Sequence, residues 1–158
     1  MRRILLCLSS WLPIIYANTG APGSGTTTQN WNCCKPSCGW QLKANFSSPV
    51  RSCDIDNEPL LDANIGTSCE NGTSYMCADQ APWLVNPHMA YGFAAVNIIG
   101  GTEASWCCTY YELLFTSGMA NGKKMIVQAT DTEFGATNTG SKFVLAVRID
   151  SKELSSHG

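Results

Sequence analysis

Apolar and polar positions alternate most regularly in the last third of the chain. From Lys124 to Thr130, Met125, Val127 and Ala129 fall on one parity and Ile126, Gln128 and Thr130 on the other, the period of a strand. Trp106 to Phe115, rich in aromatic and apolar residues, and Lys142 to Ile149 read as two further strands, with Gly118 and Asn121-Gly122 marking the turn between the first two. Upstream, Met89, Phe93 and Val96 with Ala90 and Ala94 fall at three-and-four spacing. Asn86 stands where a cap belongs, Pro87 suits a first helical position and Gly100-Gly101 ends the run, so a helix is predicted there. Residues 41–80 are interrupted by Pro49, Pro59, Gly66 and Gly72 and read as loop, with one short helical turn from Glu58 to Ala63. Short strands, one central helix and long loops predict a small, mainly β domain with some helix, built as a barrel.

The first residues belong to a different pattern. Met1-Arg2-Arg3, a mostly apolar stretch from Ile4 to Tyr16 and then Ala17 compose a secretory signal peptide over residues 1–17. Pro13 and the shortness of the apolar run argue against an anchor helix. Residues 18–25 read as a flexible lead-in, residues 26–147 as the domain proper and residues 148–158 as a divergent tail.

Charge and cysteine content narrow the class. With 44% hydrophobic and 14% charged residues and a net charge of −2, the chain carries no electrostatic footprint of a nucleic-acid binder. Removing the leader takes Arg2, Arg3 and Cys7, which leaves eight basic against twelve acidic residues, net −4, and eight cysteines. An even cysteine count in an exported domain indicates a disulfide framework, and the sequons at Asn45 and Asn71 are compatible with a secreted surface. Zinc is disfavoured, because no CxxC pair has a second pair or histidines at ligand spacing, and His88 and His157 stand alone. Neither metal nor organic cofactor is implied. Cys33 and Cys34, being adjacent, should each pair elsewhere and make residues 31–40 a rigid knot.

That knot carries a resemblance. The run Thr26-Thr27-Thr28-Gln29-Asn30-Trp31-Asn32-Cys33-Cys34-Lys35-Pro36-Ser37-Cys38-Gly39-Trp40 resembles the opening of glycoside hydrolase family 45, the small secreted endoglucanases. Ser68-Cys69-Glu70, Tyr75-Met76-Cys77-Ala78-Asp79-Gln80, Pro82-Trp83, Tyr91-Gly92-Phe93-Ala94-Ala95, Trp106-Cys107-Cys108 and Gly122-Lys123-Lys124-Met125 follow in the family's order. The resemblance implies a six-stranded double-psi β-barrel with disulfide-tied loops, and hydrolysis of internal β-1,4-glucan bonds with inversion. It implies the pairs Cys34–Cys69, Cys38–Cys107 and Cys53–Cys77, and for Cys33 and Cys108 partners further along the family's chain. Family members continue with a Gly-rich segment and more cysteines, whereas this sequence ends at Gly158. A barrel incomplete at its C-terminus is therefore expected.

Inverting hydrolysis needs a protonated carboxyl for the leaving oxygen and an ionised one to activate water from the opposite face. By the resemblance, the family's general-base aspartate corresponds to Asn32. An amide can orient water but cannot accept its proton at neutral pH. The general-acid aspartate corresponds to Val144, through the match over Gly140-Ser141-Lys142-Phe143-Val144-Leu145. Asp131 and Glu133 lie in the loop where the family keeps a mobile acidic residue, and Asp131 is the candidate substitute acid. Thr28, Lys35, Trp40, Glu70 and Lys142 are the candidate substrate contacts: Trp40 for stacking on a sugar ring, Lys35 for glucan hydroxyls, Lys142 near a family histidine. The expectation is a secreted, monomeric endo-β-1,4-glucanase with feeble or no turnover, partnered by β-1,4-glucan and by neither nucleic acid nor membrane. The alternative is a non-hydrolytic, expansin-like cellulose binder.

Overall fold

A computed structural model describes residues 23–30, 33–133 and 141–146. Among the described residues eight strands occur in this order: β1 (Gly25–Asn30), β2 (Ser52–Cys53), β3 (Tyr75–Met76), β4 (Trp83–Asn86), β5 (Met89–Asn97), β6 (Tyr110–Leu114), β7 (Lys124–Thr132) and β8 (Ser141–Ala146). A single α-helix among the described residues, α1, spans Glu103–Trp106. Six strands make one sheet in the order β1-β8-β5-β7-β6, with β4 hydrogen-bonded beside β5. β1 with β8 and β5 with β7 run parallel, while β8 with β5 and β6 with β7 run antiparallel. β2 and β3 form a separate small ribbon.

The alternation over Lys124–Thr130 is realised in β7, where Met125, Val127 and Ala129 enter the core. They meet Ala94 and Val96 of β5, Phe143 of β8 and Trp106 of α1. Val96 and Val127 are fully enclosed, each contributing roughly 1.5–3 kcal/mol by burial. Gly92 lies in the same layer, where a Cβ would run into Met125 and Pro82, so the side chain of Met125 depends on that bare backbone.

Three expectations are corrected. The helix expected after Asn86 is strand β5. It carries apolar side chains on both faces, Ala94 and Val96 toward the core and Tyr91, Phe93 and Ala95 on the other side, so no apolar/polar alternation distinguishes it from a buried helix. Asn86 does form a local bond, but its Oδ1 accepts the His88 N–H at 2.9 Å, which turns the chain from β4 into β5 instead of capping a helix. The helical turn expected at Glu58–Ala63 is absent. Pro59 bridges to Cys53, Leu60 N–H donates to Ser52 at 2.9 Å, and Asp62 Oδ1 takes the Asn64 N–H at 2.8 Å. Trp106 ends α1 instead of opening a strand. Cys108, with φ of 65°, turns the corner before β6 begins at Tyr110.

Candidate active site

Two disulfides hold the knot and a third ties the loops beside it. Cys34 is bonded to Cys69, Cys38 to Cys107 and Cys53 to Cys77, the pairs implied by the family resemblance. The Cys38 bond ties the 3-10 turn Ser37–Gly39 to the end of α1. Cys33 is exposed and Cys108 half-buried, both as thiols among the described residues, and burial pushes the Cys108 thiol pKa up.

Lys35 points inward. It is only 5% exposed, and its ammonium donates to the carbonyls of Ala63 at 2.6 Å and Ile65 at 2.9 Å. The same nitrogen stands 3.5 Å from the centroid of the Trp40 ring. Burial lowers the Lys35 pKa, opposed by the nearby Asp62 carboxylate. Lys35 therefore fixes Trp40 and fastens the 62–66 loop to the knot. Its donors are committed to protein groups, so a direct contact with glucan hydroxyls has no geometric support. Glu70 is exposed at the end of the turn Ser68–Glu70, beside the Cys34–Cys69 bond.

Across the main sheet, strand register aligns four residues in one row. Thr28 of β1 faces Val144 of β8, Val144 faces Ala95 of β5, and Ala95 faces Asp131 of β7. Thr28 is exposed and Val144 buried outside the core cluster. Two inter-strand steps place Asp131 about 10 Å from the Val144 position along the row. Asp131 belongs to β7 rather than to a loop, because pairing continues to Thr132 past a bulge opposite Ala94 and Ala95. Glu133 follows the strand, and its Oε1 accepts from Lys142 Nζ at 2.8 Å, so that pair is closed on itself. Asn32 lies outside the described residues.

Asp131 is the one carboxylate of the row, and it is held by two backbone donors. Its Oδ1 accepts the backbone N–H of Ser37 at 2.9 Å and of Thr132 at 2.8 Å. Burial nonetheless raises its pKa, with the Glu103 charge acting in the same direction. The Thr132 hydroxyl lies 3.2 Å from both Ser37 Oγ and Glu103 Oε1 and takes the Trp106 indole N–H at 3.4 Å. Glu103 Oε2 receives Lys43 Nζ at 3.0 Å. Burial pushes the Glu103 pKa up, but hydrogen bonds from Ser37, Lys43 and Thr132 outweigh it and hold the value below the ordinary glutamate range. Two carboxyls joined through Ser37 and Thr132 thus have pKa values displaced in opposite directions, the arrangement that divides acid and base roles. Sequence reasoning found Asp131 but missed Glu103 and Lys43. Their partners lie 29 and 60 residues away, and no local motif marks either.

A second feature is aromatic. Trp83 on β4 is half exposed, with its ring centroid 5.6 Å from that of Tyr91 and 6.1 Å from that of Phe93, both outside the core cluster. Among the described residues no group of His, Cys, Asp and Glu could hold a metal ion, and no helix is long and apolar enough to cross a membrane.

Comparison with known proteins agrees with this architecture. The sequence profile of glycosyl hydrolase family 45 matches residues 24–147. An endoglucanase of the springtail Cryptopygus antarcticus is 42% identical over 134 residues, 85% of this chain and 58% of its own length. An endoglucanase of Phaedon cochleariae is 39% identical over 130 residues, covering 80% of this chain and 53% of the relative. The crystal structure of the Cryptopygus antarcticus cellulase superposes with a TM-score of 0.72 at 44% identity, over 78% of this chain and 58% of that one. The chain therefore spans little more than half the length of these relatives. The six-stranded sheet is a partial double-psi barrel.

Proposed function

Because the chain belongs to glycosyl hydrolase family 45, we propose that it is a secreted endo-β-1,4-glucanase that cleaves internal bonds of β-1,4-glucan with inversion, slowly, using Asp131 as its proton donor. The observation that carries this reading is the Asp131 carboxyl itself. It shares a cross-strand row with the buried Val144 that replaces the family's acid, and burial favours its protonated form. A raised pKa is what a general acid requires near neutral pH.

In the proposed reaction, the bond between the anomeric carbon and the bridging oxygen breaks, and the departing oxygen takes the Asp131 proton. Water adds to the anomeric carbon from the opposite face, oriented by Asn32, and loses its proton to solvent because an amide cannot hold it. General acid–base catalysis contributes roughly 10²–10⁴ in rate per group, so the missing base leaves turnover about that much below a two-carboxylate enzyme. Trp40, braced by Lys35, offers a ring face for a glucose unit. Thr28 and Glu70 supply polar contacts along the chain, while Lys142 is held by Glu133. The test is release of reducing ends from soluble cellulose by the wild type and by Asp131→Asn. Slow release abolished by the substitution supports the reading, and equal release by both proteins refutes it.

One observation favours a second reading. The Trp83, Tyr91 and Phe93 cluster, half exposed on the sheet, suits a non-hydrolytic, expansin-like cellulose binder. Retention on crystalline cellulose without released sugar, weakened by Trp83→Ala, would select it.

A further inference from the structure

Glu103 and Asp131 come from separate elements, yet Ser37 and Thr132 link them, by backbone N–H to Asp131 and by hydroxyl toward Glu103. Ser37 gives its backbone N–H to Asp131 Oδ1 at 2.9 Å, and its hydroxyl donates to the Thr132 hydroxyl at 3.2 Å. Thr132 gives its N–H to the same Oδ1 at 2.8 Å while its hydroxyl bonds Glu103 Oε1 at 3.2 Å. Both backbone donors converge on one oxygen, so a proton on Asp131 belongs on Oδ2. Lys43 closes the other end at 3.0 Å from Glu103 Oε2. Nothing in the chemistry of a barrel core calls for this chain: a Glu, a Lys, two hydroxyls and an indole N–H joined around a single aspartate.

Building on the reading of Asp131 as proton donor, we propose that Glu103 is its positioning residue, acting through Ser37 and Thr132 and anchored by Lys43, so that Asp131 holds its proton on the oxygen free to donate it. Glu103 touches no substrate in this scheme. It supplies a fixed negative charge behind the acid, and that charge disfavours ionisation of Asp131. The charged groups around Asp131 are Glu103 on α1, Lys43 on the loop after the knot, and Glu133 just past the end of its own strand. Glu133 is paired with Lys142 of β8 as Glu103 is with Lys43, but of the two only the Glu103 charge acts on Asp131. Removing the Glu103 charge must therefore ease ionisation of Asp131 and leave less of the acid protonated at a given pH.

The experiment follows the Asp131 carboxyl carbon by ¹³C NMR across pH, together with the pH profile of glucan hydrolysis, in wild type, Glu103→Gln and Glu103→Asp. In Glu103→Gln the NMR midpoint and the alkaline limb of the profile both move to lower pH, and kcat falls by up to about 10²-fold with KM unchanged. Glu103→Asp keeps the charge and leaves the midpoint closer to that of wild type. In a Thr132→Val background the effect of Glu103→Gln shrinks, because the hydroxyl that bonds Glu103 Oε1 is gone while the N–H to Asp131 stays. A midpoint that stays in place in folded Glu103→Gln overturns the proposal. So does an equal downward displacement in Glu103→Asp, which would mean that packing and not charge is responsible. The NMR titration does not need turnover. If Asp131→Asn leaves hydrolysis intact, the donor assignment fails while the midpoints still report whether Glu103 governs Asp131.

Discussion

The Ser37 N–H and Asp131 Oδ1 meet at 2.9 Å although 94 residues separate them in sequence. The contact joins the knot to β7, and the neighbouring Cys38–Cys107 bond joins the same knot to α1. The disulfide and the hydrogen bond therefore hold one geometry between them. Replacing Cys38 and Cys107 together by Ala is expected to cost about 2–5 kcal/mol. The replacement should also loosen Ser37 from Asp131. Denaturation of the oxidised proteins measures the first effect, and backbone amide exchange at Ser37 reads the second.

Lys35 is a structural lysine. Lys35→Met keeps the stem and removes the ammonium, which orphans the Ala63 and Ile65 carbonyls and frees the Trp40 ring. The expected loss is about 2–3 kcal/mol, seen as a lower urea midpoint at constant m value, and Trp40 fluorescence should change with it.

Acid has a defined effect through Glu103. Its pKa is depressed in the folded state, so its contribution to stability is present above the unfolded value of about 4.3 and fades as pH falls through the lower folded value. Asp131 has the opposite sign. Its raised pKa removes stability as pH climbs from its unfolded value, about 3.9, toward the folded one. The Tm advantage of wild type over Glu103→Gln should therefore shrink on acidification below pH ~4, while the Tm of Asp131→Asn relative to wild type should rise between acid and neutral pH. Thermal melts over that range test both signs.

How much was legible in the sequence follows from where each signal lies. β7 announces itself because only one of its faces enters the core, and Met125, Val127 and Ala129 sit on that face. β5 does not, because its second face carries Tyr91, Phe93 and Ala95 and so puts apolar residues on both parities, and Asn86-Pro87 performs turn chemistry that also belongs to a helix start. The cysteine pairs were reached through the family resemblance, since spacing alone leaves many connectivities open. Asp131 could be singled out as an acid near the site, but its strand placement depends on a bulge that no residue type signals. Glu103 was invisible. It reads as an ordinary helix-start carboxylate, and only the fold delivers it to Thr132 and Lys43.

Restoring the family's aspartates offers a separate prediction. Val144 is buried, so Val144→Asp alone places a carboxyl in a poorly solvated position and should destabilise the protein by about 1–3 kcal/mol. Asn32→Asp, which restores the base, should raise hydrolysis by roughly 10²–10⁴, and adding Val144→Asp should gain little more, because Asp131 already donates the proton. Reducing-end release, normalised to the folded fraction, measures the gain.

The most direct measurement is the rate and anomeric configuration of sugar ends freed from soluble β-1,4-glucan, followed by ¹H NMR for wild type and Asp131→Asn at matched folded concentration. A slow release of inverted ends from wild type, lost by about 10²-fold or more in Asp131→Asn, is the predicted result. Release that is undiminished in Asp131→Asn, or no release from wild type at all, would contradict it.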